Sequence, residues 1–401
     1  MKHLLTENGT QVIFKKNNVY LKYTTLILTL GLAGFISAAD NWFISPSLPA
    51  IAAGFSVPVS KAGNILTSYM IPYGMMQPIY GFLSDRWSKT KILQWILCGL
   101  ALGTFGCAFA SSLLMLCIWR AFTGFFAAGI IAVSLALIGD TVPIFDRQIY
   151  IGKFMGIVFL GQGVSSGLGG ALSKYYSWRI AFIVFAVISI ITIFFLHKLP
   201  NNSPTHISHN FLKEVKQILF TEKGKIIFPL SLLTGFLLLG LYSYMGAFLH
   251  EITGLDYLQA GIVIMFYGFA CLLAGSQVGK LGQKFGKKKI IIIGECLALC
   301  SAFLLIIFSC WQAIWISTIS LGFGYIFIQS TLATIAFEVS TETKGLPAGL
   351  IGLCLFSGGG LGTAFSGWLL SQVSYKILWS VLALGIVFFI FITAKLHFNK
   401  M

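Results

Sequence analysis

Charge is what this chain has least of. Only 10% of its 401 residues are charged, and 12 acids stand against 27 lysines and arginines. A soluble domain carries about 25% charged residues, so most of this chain has no water-exposed surface to supply. No catalytic cluster of side chains appears, and no enzyme activity or cofactor is expected. The eight cysteines (Cys98, Cys107, Cys117, Cys271, Cys296, Cys300, Cys310 and Cys354) include no metal-type CxxC pair. All sit in or beside apolar runs, where cysteine acts as a small hydrophobe rather than as part of a disulfide framework. A cleavable leader is not expected either, because the first apolar run is too long for a signal segment.

What the chain has is apolar length. It is 57% hydrophobic, with a mean hydropathy of +0.88. Crossing a bilayer takes about 20 apolar residues. Runs of that kind fall at 23–46, 62–83, 91–110, 112–138, 150–173, 179–197, 226–249, 258–279, 289–309, 312–337, 346–371 and 377–395. They predict an all-α membrane protein of twelve spans. The order is a tail (1–22), a six-helix bundle (23–197), a polar linker (198–225), a second six-helix bundle (226–395) and a short tail (396–401).

The net charge of +15 suggests nucleic acid at first sight. The basic residues instead cluster in short loops between spans, as expected for cytoplasmic loops. Residues 1–22 hold Lys2, Lys15, Lys16 and Lys22, the second loop holds Arg86, Lys89 and Lys91, and the eighth holds Lys280, Lys284 and Lys287 to Lys289. The opposite side has only Lys61, Lys174, Arg179 and Lys376. Both termini and the linker are therefore predicted to be cytoplasmic, and no nucleic-acid partner is expected beside the lipid bilayer.

One loop occurs twice. Gly81-Phe-Leu-Ser-Asp85-Arg86-Trp-Ser-Lys89-Thr-Lys91 lies between the second and third runs. Gly279-Lys-Leu-Gly-Gln-Lys284-Phe-Gly286-Lys287-Lys288-Lys289 lies between the eighth and ninth. A loop duplicated at the same place in two halves marks an internal repeat. Two repeats joined by a linker suit a transporter that rocks about a midplane site.

The first copy resembles motif A of the major facilitator superfamily, matching at Gly81, Leu83, Asp85 and Arg86 but with Ser88 for the usual glycine. The resemblance covers essentially the whole chain and implies two pseudo-symmetric six-helix bundles. Arg120-Ala-Phe-Thr-Gly124 resembles motif B, which that family links to proton coupling. Gly161-Gln-Gly-Val-Ser165-Ser166-Gly-Leu-Gly169-Gly170 resembles the exporters' motif C, although Ser165-Ser166 stands where Gly-Pro is usual. The Pro46-Ser-Leu-Pro49 ending of the first run resembles that of twelve-helix drug:proton antiporters.

Ionisable residues inside spans are functional candidates, because burying charge in hydrocarbon is costly. Asp40, Arg120 and Glu295 are the candidates for proton coupling, Glu295 having a structural reading as a partner of the neighbouring lysines. Gly81, Asp85, Arg86, Asp140 and Arg147 form a candidate cytoplasmic gate. In the family the motif A acid reaches the N-terminus of helix 11, which begins here near Gly345. Asn41, Trp42, Phe122, Phe126, Tyr242, Tyr244, Tyr325 and Gln329 are candidates for lining a cavity between helices 1, 4, 7 and 10. Aromatic walls with one or two acids suit lipophilic cations. Gly161, Ser165, Ser166, Gly169 and Gly170 have a plain packing role open to them.

No Gly-x-x-x-x-Gly-Lys-Ser/Thr loop occurs, so no nucleotide-driven step is expected. The expectation is a secondary transporter, monomeric, in a bacterial cytoplasmic (inner) membrane, exchanging protons for small amphiphilic or drug-like compounds. A transporter of a specific metabolite, siderophore-like or sugar-like and in either direction, is the nearer alternative. A non-transporting membrane receptor or scaffold is the more distant one.

Overall fold

The computed structural model describes residues 23–84, 86–197, 199, 211–339 and 345–396. The two tails, most of the linker and the gate candidate Asp85 lie outside the described residues. Twelve long helices run through the remainder. In the first half they are α1 (Tyr23–Trp42), α2 (Asn64–Ser84), α3 (Lys89–Ala108), α4 (Leu113–Thr141), α5 (Ile144–Tyr175) and α6 (Trp178–Leu196). In the second they are α7 (Gly224–Thr253), α8 (Tyr257–Phe285), α9 (Lys287–Ile307), α10 (Trp311–Ala336), α11 (Gly345–Leu370) and α12 (Tyr375–Lys395). A nine-residue helix in the linker, Phe211–Leu219, sets Phe211 edge-on to Phe82 at 5.0 Å.

Eleven of these helices are long and apolar enough to cross a bilayer. The exception, α2, is long enough at 21 residues but more polar, and it contains Pro72 and Pro78. Its position accounts for its composition. It lies along α11 of the other half, where Thr67 donates to the Gly360 carbonyl at 3.1 Å. A Cβ on Gly349 would come within 2.7 Å of Pro78. A helix that faces protein rather than lipid can afford to be less greasy.

The halves meet chiefly along two helix pairs, α2 with α11 and α5 with α8. The two-fold relation between repeats carries one pair onto the other, since α2 is the counterpart of α8 and α5 of α11. Small residues set the closeness: a Cβ on Gly163 would sit 2.9 Å from the Met265 carbonyl oxygen. In a membrane no hydrophobic force draws helices together, so close van der Waals packing over small residues has to do it.

The first span differs from the expected 23–46. After a break at Phe43 the chain continues as helix Ile44–Gly54. Pro46 lies in the first turn of that segment, where proline is tolerated. Counting about 1.5 Å per residue, Asp40 lies about 21 Å from Gly54, near the middle of the combined rod. The sequence had placed it in the outer half of a shorter helix.

Candidate functional site

Asp40 and Arg120 meet at the centre of the first half. Their side chains are fully buried, and Arg120 Nη1 lies 2.6 Å from Asp40 Oδ2. The same nitrogen donates to the Asp40 carbonyl at 3.0 Å, and Nη2 donates to Asn41 Oδ1 at 3.2 Å. Thr104 of α3 donates to Asp40 Oδ1 at 2.9 Å. The guanidinium also lies over the Tyr69 ring of α2, 4.1 Å from its centroid. Four helices therefore hold one ion pair, and buried charge survives only when paired and hydrogen-bonded in this way. Arg120 Nε has no partner.

Next to this pair, aromatic rings from both halves meet. Trp42 stacks on Tyr267 at 5.0 Å and meets Tyr242 edge-on at 4.5 Å, with Tyr325 at 6.4 Å. The sequence reading found Trp42, Tyr242 and Tyr325 but missed Tyr267. A lone tyrosine in an apolar span looks like membrane filler, and only the fold shows it between α1, α7 and α10.

Pro46 explains how the halves join here. It has no N–H, so the Trp42 carbonyl four residues earlier lacks its helix partner. The Tyr242 and Ser166 hydroxyls both donate to that oxygen, each at 3.3 Å. One turn on, the Ser45 hydroxyl donates to the Tyr242 carbonyl at 3.0 Å and accepts from the Gly246 N–H at 3.4 Å. From Ile36 to Pro49 and from Leu237 to Leu249 every residue is buried. The end remote from the basic loops is thus closed by α1 against α7. Tyr244 belongs to this closure and not to the cavity: its one hydroxyl proton is shared between the carbonyls of Ser60 and Thr363, each 3.4 Å away.

A cavity of about 30 Å³ remains at the centre, bordered by Asn41, Trp42, Tyr69, Tyr73 and Gln162 among others. That is room for about one water, against the roughly 300–1,000 Å³ of a small-molecule site. Several buried polar atoms in this central region have no partner: Gln162 Oε1, Gln329 Oε1 and Ser357 Oγ. Orphaned buried polar atoms are uncommon and call for an explanation. A substrate that binds when the halves part would supply one.

Phe122 and Phe126, expected in the cavity, are placed elsewhere. The helical period of α4 turns Arg120, Thr123, Gly124 and Ala127 inward. It sets Phe122 beside Gly103 of α3, with 2.9 Å to a Cβ there, and Phe126 against Gly99. Glu295 is fully buried on α9, but the lysines beside it do not hold it. Thr393 of α12 donates to its Oε1 at 2.5 Å, and Oε2 has no partner. Lys288 instead caps the end of α12, donating to the carbonyls of Ala394 and Leu396, both at 2.7 Å.

Of the gate candidates, Gly81 lies against the start of α11, where its Cβ would be 3.1 Å from the Gly345 oxygen. Asp140 pairs with Lys89 at 2.8 Å, Arg147 donates to the Gly139 carbonyl, and Arg86 lies 4.1 Å over the Phe82 ring. The small residues of α5 sit between α1 and α8. A Cβ would stand 2.5 Å from the Phe35 carbonyl oxygen at Gly161 and 2.7 Å from Phe43 at Gly169. Ser165 turns its hydroxyl back to the Gln162 carbonyl, the Ser166 hydroxyl shares its one proton between that carbonyl and that of Trp42, and Gly170 faces Tyr257 and Gly261 of α8.

Two repeated bundles closing on a buried ion pair and an aromatic cluster define a membrane transporter of the alternating-repeat kind. The chain belongs to the Major Facilitator Superfamily, whose model matches residues 30–363. An uncharacterised MFS-type transporter of Bacillus subtilis, YceJ, is 25% identical over 85% of this chain and 88% of its own length. The multidrug resistance protein fnx1 of Schizosaccharomyces pombe is 30% identical over 43% of this chain, and the citrate exporter 1 of Yarrowia lipolytica 31% identical over 46%. The chain spans only 32% and 28% of those two proteins. Among solved structures, the nucleoside transporter NupG matches with a TM-score of 0.75 at 16% identity, covering 93% of this chain and all of that one. An inward-facing bacterial homologue of the lysosomal transporter Spinster matches at 0.65 and 17%, covering 93% and 94%. At such identities the likeness concerns the fold.

Proposed function

We propose that this transporter exchanges protons for small amphiphilic compounds, moving them out of the cell. The observation that carries the reading is the Asp40–Arg120 pair, buried two residues from Trp42 and its aromatic partners. A proton taken up by Asp40 cancels the carboxylate's charge and frees Arg120 from it. Loss of that proton re-forms the pair. A site whose charge alternates in this way, next to aromatic faces that attract cations, couples proton and substrate through one residue. The efflux-pump and exporter names among relatives point in the same direction. In this reading the basic loops face the cytoplasm, and the gate residues Asp85, Arg86, Asp140 and Arg147 act there. Glu295, held at the edge of the second half, has a structural role.

The partnerless atoms of Gln162, Gln329 and Ser357 favour a second reading, a specific polar metabolite as the exported compound. The test is efflux of fluorescent lipophilic cations from energised cells or inverted vesicles. Extrusion that a proton uncoupler abolishes and that Asp40→Asn eliminates supports the antiporter. Failure of every dye, with movement of a labelled organic acid or sugar, supports the metabolite reading.

A further inference from the structure

A groove of about 350 Å³ opens on the outside of the molecule near its basic end. Its apolar walls are Ile27 and Leu28 of α1, Ile157 and Leu160 of α5, and Leu272 of α8. It therefore crosses the seam between the halves. Gly156 keeps it open: a Cβ there would touch only Leu272, at 3.4 Å. From Tyr150 to Leu160 it runs about 15 Å at 1.5 Å per residue, half of a hydrocarbon core about 30 Å thick. Its length is that of one leaflet.

The groove has a polar end. Lys153 lies there, its ammonium 5.1 Å from the centroid of the Tyr150 ring, which Tyr23 holds edge-on at 5.6 Å. Thr24 stands opposite on α1, and its hydroxyl is buried with no partner. An apolar channel of leaflet length, ending in a cation, has the layout of a phospholipid. Basic pockets between membrane helices select anionic headgroups.

We propose that this groove binds one acyl chain of an anionic phospholipid, with its phosphate on Lys153. The lipid bridges α1 and α5 to α8, so its occupancy ties the two halves together in this leaflet. The site stands whether the transported compound is a drug, a metabolite or neither.

The test uses the full chain in nanodiscs carrying trace photoactivatable phosphatidylglycerol or phosphatidylcholine, with adducts mapped by mass spectrometry. The expected result is labelling of peptides from α1 and the first half of α5 by phosphatidylglycerol, at least fivefold above phosphatidylcholine. Unlabelled phosphatidylglycerol should compete and glycerol phosphate should not. Lys153→Gln should remove most of the preference. Gly156→Leu, which fills the groove, should abolish labelling by both lipids while leaving the melting temperature unchanged. Equal labelling by the two lipids, a preference that survives Lys153→Gln, or adducts that persist in Gly156→Leu would overturn the proposal.

Discussion

Asp40 and Arg120 hold each other inside the protein, with Thr104 and Asn41 as their neutral partners. Removing one partner of a buried pair leaves the other charge stranded, at a cost of about 3–5 kcal/mol. Asp40→Ala and Arg120→Ala should therefore each lower stability by that order. The double variant should lose clearly less than the sum, because the stranded charge is gone. A double-mutant cycle of unfolding in detergent measures the coupling. Each residue stood out in the sequence as a lone charge in an apolar run. Their pairing did not, since nothing in the chain fixes the register of α1 against α4. Tyr267 and Gln162 gave no signal, because tyrosine and glutamine gain meaning only from what the fold sets beside them.

The helices themselves were legible from hydrophobic length, and the duplicated loop gave the repeat. The boundaries near Pro46 were not, since a proline that normally ends a helix here starts the next segment. Glycines that touch the other half could not be told from those that touch nothing, and the structure now separates them. Gly163→Leu should lose folded protein and transport together, because the Met265 backbone stands in the way. Gly152→Ala meets nothing within 4 Å and should be neutral or stabilising by up to about 1 kcal/mol. Fluorescence-detected size exclusion of the two variants decides.

At the basic end, Glu338 follows α10 and pairs with Lys287 at the start of α9 and Lys223 just before α7, the latter at 3.3 Å. Lys287 foremost, then Lys223, hold its carboxyl below the usual glutamate range. A lowered carboxyl favours folding above the unfolded-state pKa of about 4.3, and that help is lost as pH falls through the folded value. Both partners are partly exposed, so the amount is well under about 1 kcal/mol. The melting temperature of Glu338→Gln should sit slightly below wild type at pH 7 and converge with it near pH 3.

For the molecule as a whole, the two halves are shut at the end away from the basic loops. Besides α1 and α7, an exposed ion pair links them there: Lys174 at the end of α5 lies 2.8 Å from Asp256 at the start of α8. Alternating access requires this end to part. Lys174→Gln should shift the balance towards the open form. A cysteine at Ser47, whose hydroxyl now accepts from Ser173 at 3.0 Å, should then react severalfold faster with a maleimide. An unchanged rate would mean that the pair has no part in closure.

The carbonyl of Trp42, left free by Pro46, has a further consequence. The closing surface between α1 and α7 is made of main-chain oxygens, small hydroxyls and the phenol groups of Tyr242 and Tyr244, whereas the cluster beside it is made of ring faces. Substitutions at Tyr267 and Tyr325 can therefore reshape the ring cluster while the main-chain contacts stay, and Tyr242 is the residue that both surfaces share. A lineage of such proteins can change cargo many times while keeping one way of shutting the door.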